Sequence, residues 1–263
     1  MLEINKIYCG DCLEVMKDIP DKSVDMVLCD LPYGITACEW DVRIPLEPLW
    51  EAYKRIIKDN GAIVLTASQP FATDCINSNR DMFRYELIWE KTTVTGFFNS
   101  NKMPLRNHEN ILLFYNHLPT YNPQCYKTNK LTKDKTMQKK NLDKKSIYNQ
   151  TPDYINNKFW KENGLRLPKS VIKFSNWNGA LFGNTDNVSV HSTQKPVALF
   201  QYLIKTYTNE NDLVLDNCIG SGTTAIAALK CNRNFIGIEK ELRYVKIAND
   251  RIELFQSQYK LEI

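Results

Sequence analysis

Residues 213–239 most constrain the fold. They read LVLD, then NCIGSGTT, then AIAALKCN, then NFIGIE: a short apolar strand, a glycine-containing turn, a helix and a second strand. A strand that returns parallel to its predecessor needs a crossover, and helices then cover the sheet. Only 24 residues follow Glu239, too few to complete a doubly wound sheet, so N-terminal strands must finish it. Apolar runs suited to that task occur at EINKIYC (3–9), VDMVLCD (24–30), AIVLTA (62–67), YELIWEK (85–91) and ENILLFYN (109–116). LEPLWEAYKRIIKDNG (46–61) reads as an amphipathic helix, with Leu46, Leu49, Tyr53, Ile56 and Ile57 at helical spacing and Asn60-Gly61 as its stop. KPVALFQYLIKTYT (195–208) and ELRYVKIANDRIELF (241–255) read as further helices. The chain thus divides into two patterned regions, 1–120 and 191–263. Between them lies an irregular insertion, 121–190, rich in Asn, Lys, Tyr and Trp.

The balance of 43% hydrophobic and 24% charged residues excludes a disordered or fibrous chain. The longest apolar run, near 62–67, is far short of a membrane span. No apolar segment follows Glu3 and Lys6, so no signal peptide is expected. The eight cysteines sit largely inside apolar runs and read as reduced thiols, which fits a cytoplasmic protein. Cys9-Gly-Asp-Cys12 lacks a second ligand pair, so no metal is expected. Residues 127–145 hold eight lysines against two aspartates, a local charge of +6 in a chain of net charge +4. Such a stripe attracts polyanions, although a solvated lysine-rich loop has the same composition.

Two motifs carry chemistry. In the first, Asp216 ends a strand. Gly220 and Gly222 allow a tight turn and close approach of a ligand to the backbone. Ser221, Thr223 and Thr224 open the helix, and Glu239 ends the next strand, where a carboxylate can accept from both ribose hydroxyls. There is no Walker A lysine, but Gly220, Gly222 and Ala225 also fit a nicotinamide fingerprint. In the second motif, Asp30-Leu31-Pro32-Tyr33 follows a buried strand. Pro32 holds Leu31 extended, which aims its carbonyl outward beside the Asp30 carboxylate. Two adjacent acceptors match the two hydrogens of an exocyclic amino group. Tyr33 offers a face for an unstacked base.

Asp30 to Tyr33 resembles the catalytic Asp-Pro-Pro-Tyr motif of the amino-group DNA methyltransferases. Asp216 to Thr224 resembles their S-adenosylmethionine loop, usually D-P-F-x-G-S-G-T-T. His191-Ser-Thr-Gln-Lys-Pro196 resembles their H-P-T-Q-K-P segment. Gly10-Asp11-Cys12 resembles the Gly-Asp-Cys that borders the adenine, and Asn107-His108-Glu109 resembles another segment of the catalytic half. The order, catalytic motif first and cofactor loop last, is similar to the β-group. The resemblance implies an α/β, Rossmann-like methyltransferase sheet with circularly permuted motif order and a target-recognition insertion. It implies S-adenosylmethionine as cofactor. Asp11 and Cys12 would lie at its adenine and Glu239 at its ribose. Asp216, Gly220, Ser221, Gly222, Thr223 and Thr224 would line its methionine portion, with Thr193 and Lys195 nearby. Leu31 for Pro, and Asn217-Cys218 for Pro-Phe, depart from the family pattern.

The resemblance implies methyl transfer to the N6 amino group of adenine in duplex DNA with the base flipped out. N4 of cytosine is the alternative, and RNA methylation and a catalytically inert DNA-binding subunit follow. Phosphate contacts are expected from Arg106, Lys127, Lys130, Lys133, Lys135, Lys139 and Lys140. Base reading is expected from the insertion. Phe97-Phe98-Asn99, after a glycine, is a candidate for closing over the flipped base. A homodimer and a partner restriction endonuclease remain open, in a bacterial or phage-infected cell.

Overall fold

The computed structural model describes residues 2–34, 38, 41–127, 165–176 and 194–259. Thr193, Lys130, Lys133, Lys135, Lys139 and Lys140 lie outside the described residues. The chain separates into two compact units, 1–122 with 170–263, and 123–169. In the smaller unit, β6 (Tyr126–Lys127) pairs antiparallel with β7 (Leu165–Arg166).

The larger unit is built on one eight-stranded sheet. Its strands are β1 (Lys6–Cys9), β2 (Val24–Asp30), β3 (Ile57–Ala67), β4 (Phe83–Thr95), β5 (Arg106–Phe114), β8 (Val171–Phe174), β9 (Leu213–Asp216) and β10 (Asn234–Glu239). The spatial order is β1-β10-β9-β2-β3-β5-β4-β8. β1, β10, β9, β2 and β3 are mutually parallel, and β5 runs antiparallel to both of its neighbours. The C-terminal strands β9 and β10 therefore lie between β1 and β2, which completes the sheet that neither half can complete alone.

Side-chain alternation along the strands feeds two cores, one on each face. Val27 and Cys29 of β2 and Ile63 and Leu65 of β3 enter one core, with α1 (Cys12–Val15), α2 (Leu46–Ile56) and α3 (Phe71–Ser78). Met26, Leu28, Ala62 and Val64 enter the other, with α4 (Val197–Tyr207), α5 (Thr223–Leu229) and α6 (Leu242–Tyr259).

The structure corrects the expected helix over 46–61. The helix stops at Ile56, because Ile57 is extended and already pairs with Val24 as the first residue of β3. The next paired residues are Met26 and Ala62, so 58–61 form a bulge within β3 rather than a loop. Gly61 is needed there for space: a Cβ would meet Ile57 at 2.7 Å and the Asp25 carbonyl oxygen at 2.9 Å. Residues 170–176, read from sequence as insertion, belong to the larger unit, where β8 lies parallel to β4. All eight cysteines are free thiols. No described helix is long and apolar enough to cross a membrane.

Candidate active site

Parallel strands end on one edge of the sheet, so β1, β2, β9 and β10 deliver Gly10, Asp30, Asp216 and Glu239 to a common rim. A cavity of about 640 Å³ opens there. β5 runs the other way, so its first residues, Arg106 to Glu109, reach the same rim. Lys195 arrives from the residue before Pro196, which caps α4.

In the cofactor loop, Gly220 and Gly222 have φ of 51° and 85°, a left-handed conformation that glycine adopts without strain. Gly222 also lies against α6, where an added Cβ would meet Ala248 Cβ at 3.0 Å. Asp216 is buried at the base of the loop. It accepts from the Thr224 hydroxyl and from the Cys218 N–H (3.0 Å). Burial pushes its carboxyl up to about 7. Glu239 accepts from the N–H groups of Gly220 and Glu241, each at 2.9 Å. Those two bonds fix its carboxylate and leave lone pairs for hydroxyl donors. Asp11 caps α1 through Leu13 N–H (2.9 Å), which leaves Cys12 buried at the wall.

The family departure Asn217 has a structural account. Its Oδ1 accepts a 2.5 Å hydrogen bond from the fully buried Tyr53 hydroxyl. Cys12, Cys29 and Cys218 lie together beneath the loop. Cys218 raises Cys12, and burial pushes Cys29 up to about 12. The shifts of all three thiols favour the protonated form.

At the catalytic motif, Asp30 is register partner to the buried Thr66 on β3. Asp30 Oδ1 accepts from the Tyr33 hydroxyl (2.8 Å) and from Thr66 Oγ1, and Oδ2 accepts from Lys195 Nζ at 2.6 Å. Desolvation beside Asp30 lifts the Tyr33 phenol well above its usual value, so it donates rather than ionises. The turn is held by Gly34 N–H to Asp41 (2.8 Å) and by Arg43 Nε to the Tyr33 carbonyl (2.7 Å). The Tyr33 ring stacks on Phe71 at 5.3 Å between centroids. Leu31 is buried in the core, with Pro32 and Tyr33 after it on the cavity wall.

Lys195, expected near the methionine portion of a cofactor, lines the same cavity as the cofactor loop and is paired with Asp30. Its second carboxylate neighbour is Glu109, at 3.4 Å, and Glu109 Oε1 is bound by Lys91. Thr66, Phe71, Lys91 and the Glu109 carboxylate belong to this site, and sequence reasoning gave none of them a role. Asn107-His108-Glu109 was the available signal for Glu109. Arg106 opens β5 at the rim. Phe97 and Phe98 project into solvent from a short 3₁₀ turn between β4 and β5, and Lys127 is exposed on β6.

Comparison with known proteins points to one family. The N6/N4 "DNA methylase" family profile matches residues 24–250. The Type II methyltransferase M1.MboII of Moraxella bovis is 31% identical over 265 residues, covering 95% of this chain and 96% of the relative. The DNA adenine methyltransferase YhdJ of Escherichia coli K12 is 27% identical over 99% of this chain and 86% of its own length. The solved M1.HpyAVI–SAM complex is 24% identical, with a TM-score of 0.59 over 94% of this chain and 98% of that one. With that profile matching most of the chain and a relative 31% identical over nearly its whole length, the chain belongs to the DNA methylase family.

Proposed function

We propose that the chain transfers a methyl group from S-adenosylmethionine to the N6 amino group of adenine in duplex DNA. The observation that carries this reading is the Asp30 carboxylate at the end of β2, on the same cavity wall as the Asp216–Thr224 loop and Glu239. The residues present fit that cofactor. Glu239 has a fixed carboxylate for the ribose hydroxyls, and the Gly222 turn admits close backbone approach. Asp11, Cys12, Ser221, Thr223 and Thr224 line the same cavity, the first two assigned to the adenine and the others to the methionine portion. S-adenosylmethionine supplies a methyl group activated by a sulfonium.

The chain's own residues do the rest by positioning and electrostatics. The amino nitrogen is a weak nucleophile because its lone pair is conjugated into the ring. Hydrogen bonds from its two hydrogens to Asp30 and the Leu31 carbonyl favour a pyramidal nitrogen and stabilise the positive charge it acquires. Tyr33, backed by Phe71, supports the flipped base, and the proton leaves to solvent. Asp at the head of the motif favours adenine over cytosine. Residues 121–190 and the lysines of 127–145, with Arg106, are assigned to DNA contact. The enzyme would then act in the cytoplasm.

The test is incubation of the purified chain with labelled S-adenosylmethionine and unmethylated DNA, followed by nucleoside mass spectrometry. N6-methyladenine is expected. N4-methylcytosine would overturn the base assignment, and no methylated nucleoside would overturn the activity. Asp30→Asn should cut transfer by roughly 10²–10³-fold, the scale of losing one preorganised charge partner, while cofactor binding persists. Joint loss of binding and folding would make Asp30 structural.

A further inference from the structure

Asp30 must accept from an incoming amino group, yet both of its oxygens are already engaged, Oδ2 by the Lys195 ammonium at 2.6 Å. Lys195 is only 8% exposed, on the wall of the cavity. Its other neighbour is Glu109. Glu109 Oε1 is held by Lys91, while Oε2 is buried and makes no hydrogen bond among the described residues; it stands 3.4 Å from Lys195 Nζ. Burial alone would lower the lysine, but Asp30 and Glu109 outweigh it and keep the ammonium charged. Glu109 Oε2 is thus incompletely satisfied, with a cation at 3.4 Å but no hydrogen bond among the described residues.

We propose that Lys195 is a positioning residue that moves between two carboxylates: it holds Asp30 while the target subsite is empty and passes to Glu109 Oε2 when a base amino group arrives. This rests on the reading of Asp30 given above. The four charges of the cluster, Asp30, Glu109, Lys91 and Lys195, sum to zero in either arrangement, so the exchange leaves no net buried charge. The movement is small. Closing 3.4 Å to the 2.7–2.9 Å of a charge-assisted bond, while opening the 2.6 Å contact with Asp30 beyond hydrogen-bond reach, needs roughly an ångström of travel along a flexible stem. Lys91 holds Glu109 in place, so the lysine is the part that moves. The exchange frees Asp30 Oδ2 for the amino hydrogen. It also withdraws an ammonium from the nitrogen that is about to become positive.

The test is single-turnover methyl transfer, scored on either amino-bearing base, with cofactor affinity and thermal melting measured alongside. Glu109→Gln removes the receiving charge and leaves Lys195 on Asp30. The rate should fall at least tenfold, with KM for DNA and cofactor affinity within about twofold, since phosphate contacts dominate DNA affinity. Adding Lys195→Met removes the obstruction, so the double variant should be faster than Glu109→Gln alone. Should Glu109→Gln fold poorly, Glu109→Asp, one methylene short of Lys195, should show the same loss and the same rescue. A Glu109 variant at the wild-type rate, or a double variant as slow as or slower than the single, overturns the proposal. N4-methylcytosine as product leaves it standing. A wild-type chain that transfers nothing refutes the functional reading and this inference with it.

Discussion

Removing the Tyr53 hydroxyl tests whether Asn217 is a built part of the cofactor loop. Tyr53→Phe keeps the ring, so no cavity opens in a core where Tyr53 is fully buried. What it loses is the 2.5 Å bond to Asn217 Oδ1, on a side chain only 2% exposed. Another contact of that side chain, Nδ2 to Cys218 Sγ at 3.6 Å, uses the amide nitrogen and does not satisfy the oxygen. An orphaned buried acceptor costs about 1–3 kcal/mol, which at roughly 2–4 °C per kcal/mol for a chain of this size is a clear fall in Tm. Asn217→Ala orphans the hydroxyl instead and should cost a similar amount. The double variant removes both polar atoms and should be more stable than Asn217→Ala alone. Thermal melting of the four proteins reads this directly. A neutral Tyr53→Phe, or costs that simply add, would refute the pairing.

Gly222→Ala should destabilise the chain by at least about 1 kcal/mol, because φ of 85° disfavours a side chain and the new methyl would press on Ala248; an unchanged melt with unchanged cofactor affinity would contradict this. For Asp216, the folded carboxyl sits near 7, above its unfolded value of 3.8, so the folded state binds the proton more tightly. Its contribution to stability is full below the unfolded value and is lost as pH rises to about 7. Between pH 5.5 and 8 that amounts to about 2 kcal/mol, and Asp216→Asn should flatten this part of the Tm–pH curve; an unaltered slope would be the contrary result. Neutralising four of the lysines in 127–145 should weaken DNA binding uniformly across sequences and lower the salt slope by about 4; a constant slope would remove them from the interface.

What was legible in the sequence was local. Asp30, Asp216 and Glu239 each end an apolar run and precede a turn, so strand and motif identify one another within ten residues. The illegible parts join distant segments. Tyr53 and Asn217 are 164 positions apart and Lys195 and Asp30 are 165, and no periodicity encodes such pairs. Glu109 was hidden for a topological reason. Only the reversal of β5 brings the start of a strand, rather than its end, to the rim. The expected stop at Asn60-Gly61 misled because that pair is a turn signal by composition, whereas here glycine provides room for a bulge inside β3.

The interleaving of β9 and β10 between β1 and β2 has a consequence for how this chain can be divided. A cut anywhere in 128–164 gives one piece carrying β1 to β6 and another carrying β7 to β10. The first piece alone leaves β1 without its neighbour, and the second leaves β9 and β10 without flanking strands on either side. Neither piece is a module with a finished core, yet each supplies the edge the other lacks. Two such fragments, made separately and mixed, should reassemble one sheet by complementation, with the peptide link between them serving only to keep the partners at high local concentration.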